Sequence, residues 1–152
     1  MRKSAGDGSP KPLSKAKKRR AVIVRAAGHC EYCRLVEEGQ LGPFHLEHVV
    51  PTSLGGPDEL DNLAWACPAC NLSKSDRVEV LDPLTGEAVA IFSPRQMNWR
   101  DHFGWSGYQL IGRTPIGRAL IHFLDLNSAK RLAVRGNEDL LGYFVGSDDP
   151  PA

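Results

Sequence analysis

The sequence predicts an α+β fold of short strands and short helices gathered on a four-cysteine metal site, and three observations predict it. Two Cys-x-x-Cys pairs, Cys30/Cys33 and Cys67/Cys70, use all four cysteines of the chain, and four thiolates in two such knuckles are the ligand set of a closed tetrahedral zinc site. Between the pairs, residues 44–50 and 63–66 read as two short strands separated by a loop with Gly-Gly and Pro-Asp. Beyond them, residues 78–92 carry a hairpin signal and residues 114–134 two helical ones.

The first 13 residues mix Gly, Ser, Pro and Lys without periodicity and read as a disordered basic leader. Ser14 can cap a helix over 15–27 with Ala16, Arg20, Ile23 and Ala27 on one side, although Val22-Ile23-Val24 is β-branched. Gly28 would end it and deliver the chain to the first knuckle, where Tyr32 is expected to pack beside the metal. Residues 34–43 read as a loop. Residues 68–77 begin as the second knuckle and can continue as a short helix with Asn71 and Lys74 three apart on one face. Asp82-Pro83-Leu84-Thr85-Gly86 supplies the hairpin turn. Trp99, Phe103 and Trp105 read as core, and residues 108–112 as a further strand. Thr114-Pro115 opens a helix to about residue 126, and Ser128 one to about residue 134. The expected organisation is thus a leader (1–13), an N-terminal helix and metal core (14–77), an extension packed on it (78–145) and a tail (146–152).

At 152 residues the chain has room for one domain with its own core. No run approaches the roughly 18 apolar residues of a membrane span, and no apolar segment of export-signal kind follows the N-terminal charges. A cytoplasmic protein with no membrane partner is expected, and in that setting the Cys-x-x-Cys spacing favours metal over two disulfides. The formal charge of +1 hides an asymmetry, because residues 1–25 hold nine Lys or Arg against one Asp. A basic arm on a faintly acidic body suits a grip on phosphates, with a solvated tail as the plainer alternative.

Glu47-His48 followed by Val49-Val50-Pro51, then Gly55-Gly56, Asn62-Leu63, Cys67-Pro68-Ala69-Cys70-Asn71 and Lys74 resemble, in that order, the HNH endonuclease family. The resemblance covers about residues 28–77 strongly. It implies a ββα-metal, treble-clef-like core with a structural zinc held by Cys30, Cys33, Cys67 and Cys70. It also implies a β-hairpin and helical extension behind that core, DNA as partner, and hydrolysis of DNA phosphodiester bonds by nicking or double-strand cleavage.

Hydrolysis of a phosphodiester at neutral pH needs an activated water and positive charge at the scissile phosphate. Imidazole takes a proton near about pH 6.5, and the resemblance assigns His48 the role of general base. Glu47 and Asn71 would offer one charged and one neutral oxygen to a catalytic Mg²⁺ or Mn²⁺. Asn62 would orient the loop and the catalytic histidine. Many family members have Asp or His in place of Glu47 and His in place of Asn71, which bears on the preferred ion. Glu47 and His48 are neighbours on a strand and so point to opposite faces unless a bulge turns them. His45 could be a further ligand or a structural residue, and Lys74 a phosphate contact or a solvated surface lysine. His29, His102, His122, Arg95 and Trp99 stay outside the site. The alternative from another class is a zinc-knuckle nucleic-acid-binding module with a vestigial catalytic set.

Overall fold

In the computed structural model, residues 8–40, 42–144 and 146 are described; the leader's first seven residues, Val145 and most of the tail lie outside them. Helix α1 (Lys15–Ala26) is capped by the Ser14 side chain accepting from the Lys17 amide. It stops one residue before the expected end, at Ala27 with φ 50°. Its buried stripe is Lys18, Val22 and Ala26, spaced by four.

Strands β1 (His45–His48) and β2 (Leu63–Ala66) form an antiparallel hairpin that pairs Glu47 with Ala64 and His48 with Leu63. β1 is shorter than the alternating run, because the Val49 and Val50 amides turn to Asn62 instead of continuing a ladder. All four residues of β2 are buried, and the strand packs against both β1 and α1. The Arg25 guanidinium donates to the Leu60 and Leu63 carbonyls at 2.8 and 2.6 Å, and Arg19 stands 4.8 Å over the Trp65 ring. The second knuckle then opens α2 (Pro68–Lys74), with Cys67 as N-cap and Pro68 at the first helical position.

The extension adds two further antiparallel hairpins, β3 (Glu79–Leu81) with β4 (Ala88–Ala90), and β5 (Phe103–Ser106) with β6 (Gln109–Gly112). Phe103, in the core, and Trp105, half-buried against it, lie on β5, preceded by the single helical turn α3 (Trp99–His102). Helix α4 (Pro115–Phe123) ends earlier than expected, where the chain reaches Asp125 with φ 50°. Helix α5 (Ala129–Leu140) runs six residues beyond the expected Val134. The apolar core is continuous from Val22 and Trp65 through the cysteines to Phe92, Phe103, Leu120 and Leu126, so the extension and the knuckles share one interior.

Candidate active site and metal centre

The knuckles bring the four cysteine sulfurs within 4.8 Å of one another, all four buried. Cys33 and Cys67 Sγ are 3.7 Å apart, which matches the about 3.8 Å edge of a tetrahedron with metal–sulfur bonds of about 2.3 Å. The donor set and spacing fit a structural zinc. Burial pushes the Cys30 thiol up, while bonds from Cys30, Cys33 and Cys70 hold Cys67 far below the ordinary thiol range. A thiolate cluster of this kind wants a cation.

Neighbouring elements lock the first knuckle. Tyr32 is fully buried beside the cysteines, as expected. Glu31 accepts from the Trp65 amide at 2.7 Å and pairs with Arg95, and the Trp99 indole donates to the Tyr32 carbonyl at 3.1 Å. Arg95 and Trp99, which the sequence left unassigned, therefore brace the knuckle. His102 bonds the Thr114 hydroxyl at 2.6 Å and His29 the Ala27 carbonyl at 2.7 Å, both away from the motif.

β1 divides Glu47 from His48. Glu47 faces inward, with 5% of its side chain exposed. Tyr32 Oη donates to Glu47 Oε2 at 2.5 Å, and Lys74 Nζ stands 2.6 Å from Oε1. Lys74 has no exposure and also donates to the Val49 carbonyl at 2.9 Å. It is neither of the two things the sequence suggested, a phosphate contact or a surface lysine. Burial pushes the Glu47 carboxyl up against the pull of Lys74 and Tyr32. Oε2 is thus hydrogen-bonded, while Oε1 has Lys74 as its charge partner but no hydrogen bond, so an ion at Oε1 would have to compete with Lys74. Asn71, one turn before Lys74 on α2, is half-buried, and among the described residues nothing bonds its side-chain amide.

His48 faces outward, with its Nε2 3.0 Å from Asp58 Oδ1. Asp58 is held in turn by Lys18 of α1, whose Nζ donates to the Asp58 carbonyl at 2.5 Å and to Oδ2 at 3.1 Å. Lys18 first, and His48 next, keep the Asp58 carboxyl below its usual range. An ionised carboxylate can only accept, so Nε2 donates, and among the described residues Nδ1 makes no hydrogen bond. Sequence reasoning missed Asp58 and Lys18. The available signal for Lys18 was its place four residues before Val22 on the buried stripe of α1.

Asn62 closes the short 3₁₀ turn that leads into β2. Its Oδ1 accepts from the Val50 amide at 2.9 Å, and its Nδ2 donates to the Val50 and Pro57 carbonyls at 3.0 and 2.9 Å. These three bonds close the loop that carries Asp58 back onto the end of β1. Gly56 is required there, because a Cβ would lie 1.8 Å from the Val50 carbonyl oxygen. His45, at the other end of β1, is exposed and, among the described residues, has no hydrogen-bond or charge contact.

Residues 30–77 match the family model described as HNH endonuclease, about a third of the chain. No curated protein and no solved structure matches the chain. Among the described residues, no helix is long and apolar enough to cross a membrane. The matched segment runs from the first thiolate of the four-cysteine cluster through the β1–β2 hairpin and α2, so this third of the chain, with its ββα-metal geometry, is similar to the HNH endonuclease family.

Proposed function

We propose that the chain is an HNH endonuclease that hydrolyses DNA phosphodiester bonds, with His48 as general base. One observation carries the reading: His48 is held through Nε2 by the Asp58 carboxylate, with Nδ1 free of any hydrogen bond among the described residues. A base must be held with one nitrogen free, and proton transfer of this kind contributes about 10²–10⁴ in rate. Asn62 holds the loop, Asp58 the ring and Lys18 the Asp58 carboxylate. The exposed Lys15, Lys17 and Arg20 on the same helix as Lys18 offer positive charge beside the base, which suits a polyanionic substrate.

The resemblance gives a catalytic Mg²⁺ or Mn²⁺ to Glu47 and Asn71. Lys74 already supplies the positive charge at Glu47 Oε1, so a divalent ion competes with Lys74 for that oxygen, and His48 can act on water without reference to it. The same ion pair favours a second reading, a zinc-knuckle module that binds nucleic acid without cutting it. A plasmid-nicking assay in Mg²⁺, Mn²⁺ or EDTA, on wild type and His48→Ala, separates the two. Nicking that disappears in His48→Ala supports the nuclease. Binding without nicking in any of the three conditions supports the module.

A further inference from the structure

The HNH match ends at residue 77, but the metal centre is covered by α5, far beyond it. Arg131 is buried and turns its guanidinium to the second knuckle, with Nη2 3.5 Å from Cys70 Sγ and Nη1 3.9 Å from Cys67 Sγ. Arg135, one turn further on, is 1% exposed. It donates to the Tyr108 carbonyl at 2.9 Å and stands 5.3 Å over the Trp105 ring, but its Nε and Nη2 have no hydrogen-bond partner. The charges acting on it come from Cys33, Arg131, Glu138 and Cys70. Glu138 completes the same face of α5 and accepts at 2.8 Å from the Val36 amide, just after the first knuckle. The helix therefore touches both halves of the metal site.

A guanidinium cannot shed its charge in a protein, so a buried one needs an anion. The other buried carboxylates among the described residues are already committed, Glu31 to Arg95, Glu47 to Lys74 and Asp82 to Arg118. What faces Arg131 is sulfur. Four thiolates on one zinc ion make a dianion; Arg131 brings positive charge to the second knuckle and half-buried Arg34 to Cys30 and Cys33 of the first, while Arg135 faces Glu138 as well as the thiolates. We propose that Arg131 is a positioning residue of the zinc centre: it balances part of the charge of a zinc–tetrathiolate through N–H···S hydrogen bonds, and this makes α5 part of the metal site. The inference does not depend on nuclease activity.

Hydrogen bonds to a metal-bound sulfur draw electron density from it, slow its dissociation and move its charge-transfer transitions to higher energy. The test uses the full chain loaded with Zn²⁺, or with Co²⁺ for spectroscopy, as wild type, Arg131→Met and Arg131→Lys. Arg131→Met is expected to release zinc to excess chelator about 10- to 100-fold more readily, the usual scale for loss of an outer-shell hydrogen bond. Its sulfur-to-cobalt band should move to lower energy, with Arg131→Lys in between. Arg118→Met breaks the ion pair of Arg118 with Asp82, away from the cysteines; it should lower thermal stability without moving the band. Wild-type release and an unmoved band in Arg131→Met would overturn the proposal, as would an equal band shift in Arg118→Met. Should Arg131→Met fail to fold, Arg131→Lys decides: it keeps the charge but loses the forked donor, so an unmoved band and unchanged release in it overturn the proposal.

Discussion

Glu47 and His48 are adjacent in the chain and opposite in circumstance. Glu47 lies in the interior, both oxygens spoken for by Tyr32 and Lys74, its carboxyl pushed up by burial. His48 lies at the surface, tied through one nitrogen to Asp58, a carboxyl held down by Lys18 and by the ring itself. The strand's two-residue period makes this division, since successive side chains must leave on opposite faces. One motif dipeptide therefore serves two ends: its first residue belongs to the interior of the metal core and its second, on the proposed reading, to chemistry at the surface. Substitutions should separate the two.

The largest effect should erase the distinction. Cys67→Ser removes a zinc ligand shared by the fold on both sides of β1, and structural zinc sites contribute about 10–16 kcal/mol to folding in small zinc domains. Loss of bound zinc and of the cooperative thermal transition is expected; a variant that kept both would show that the knuckles do not carry the fold. Next, Glu47→Ala leaves Lys74 buried without its carboxylate, a change that costs about 3–5 kcal/mol and should lower Tm by roughly 6–20 °C in a chain of this size. Replacing both, as Glu47→Leu with Lys74→Met, should restore much of that loss. A Tm for Glu47→Ala equal to wild type would break the assignment of Glu47 to the interior.

His48→Ala should do the reverse, keeping Tm within a few degrees while nicking falls about 10²–10⁴-fold. Wild-type nicking in a preparation free of contaminating nuclease would remove the general base from His48. Smaller again is the contribution of the arm. Changing exposed Lys15, Lys17 and Arg20 to Gln should lower the slope of log affinity against log salt by up to about 0.9 per lost phosphate contact. An unchanged slope would leave the helix without a role in binding.

The subtlest contrast is in titration. Asp58 is depressed below its ordinary 3.8, so its bonds favour the folded state above that pH, and this contribution is lost as pH falls through the depressed value. Glu47 is raised above its ordinary 4.5, so its contribution has the opposite sign: full below that pH and lost as pH rises through the raised value. Carboxyl carbon shifts followed by NMR should show Asp58 titrating below and Glu47 above their usual ranges. The same order in both would mean that the two faces of β1 do not differ as described.

The sequence made the metal core legible because its signals are local: knuckles of fixed spacing, a Gly-Gly turn, and an Asn whose side chain bonds backbone twelve residues away. Asp58 and Lys18 were not legible, because their meaning is an ion pair across forty residues, between a loop acid and a helix base that each look like ordinary surface. The length of α5 was hidden for a different reason. Hydropathy reading looks for an apolar stripe, whereas the buried side chains of this helix are Arg131, Arg135 and Glu138, at i, i+4 and i+7. Gly136 and Asn137 then read as a terminator. Charged residues that face a charged centre leave no hydrophobic trace.

The distance along the chain from Cys70 to Arg131 sets an order of events during synthesis. The last thiolate leaves the ribosome 61 residues ahead of the guanidinium that covers it, an interval of about 3–12 s at ordinary elongation rates. For that interval the knuckles stand open, and metal can enter a site that has no lid. Once α5 docks, its Arg131 lies over Cys67 and Cys70, so the hold on the metal is tightest in the finished chain.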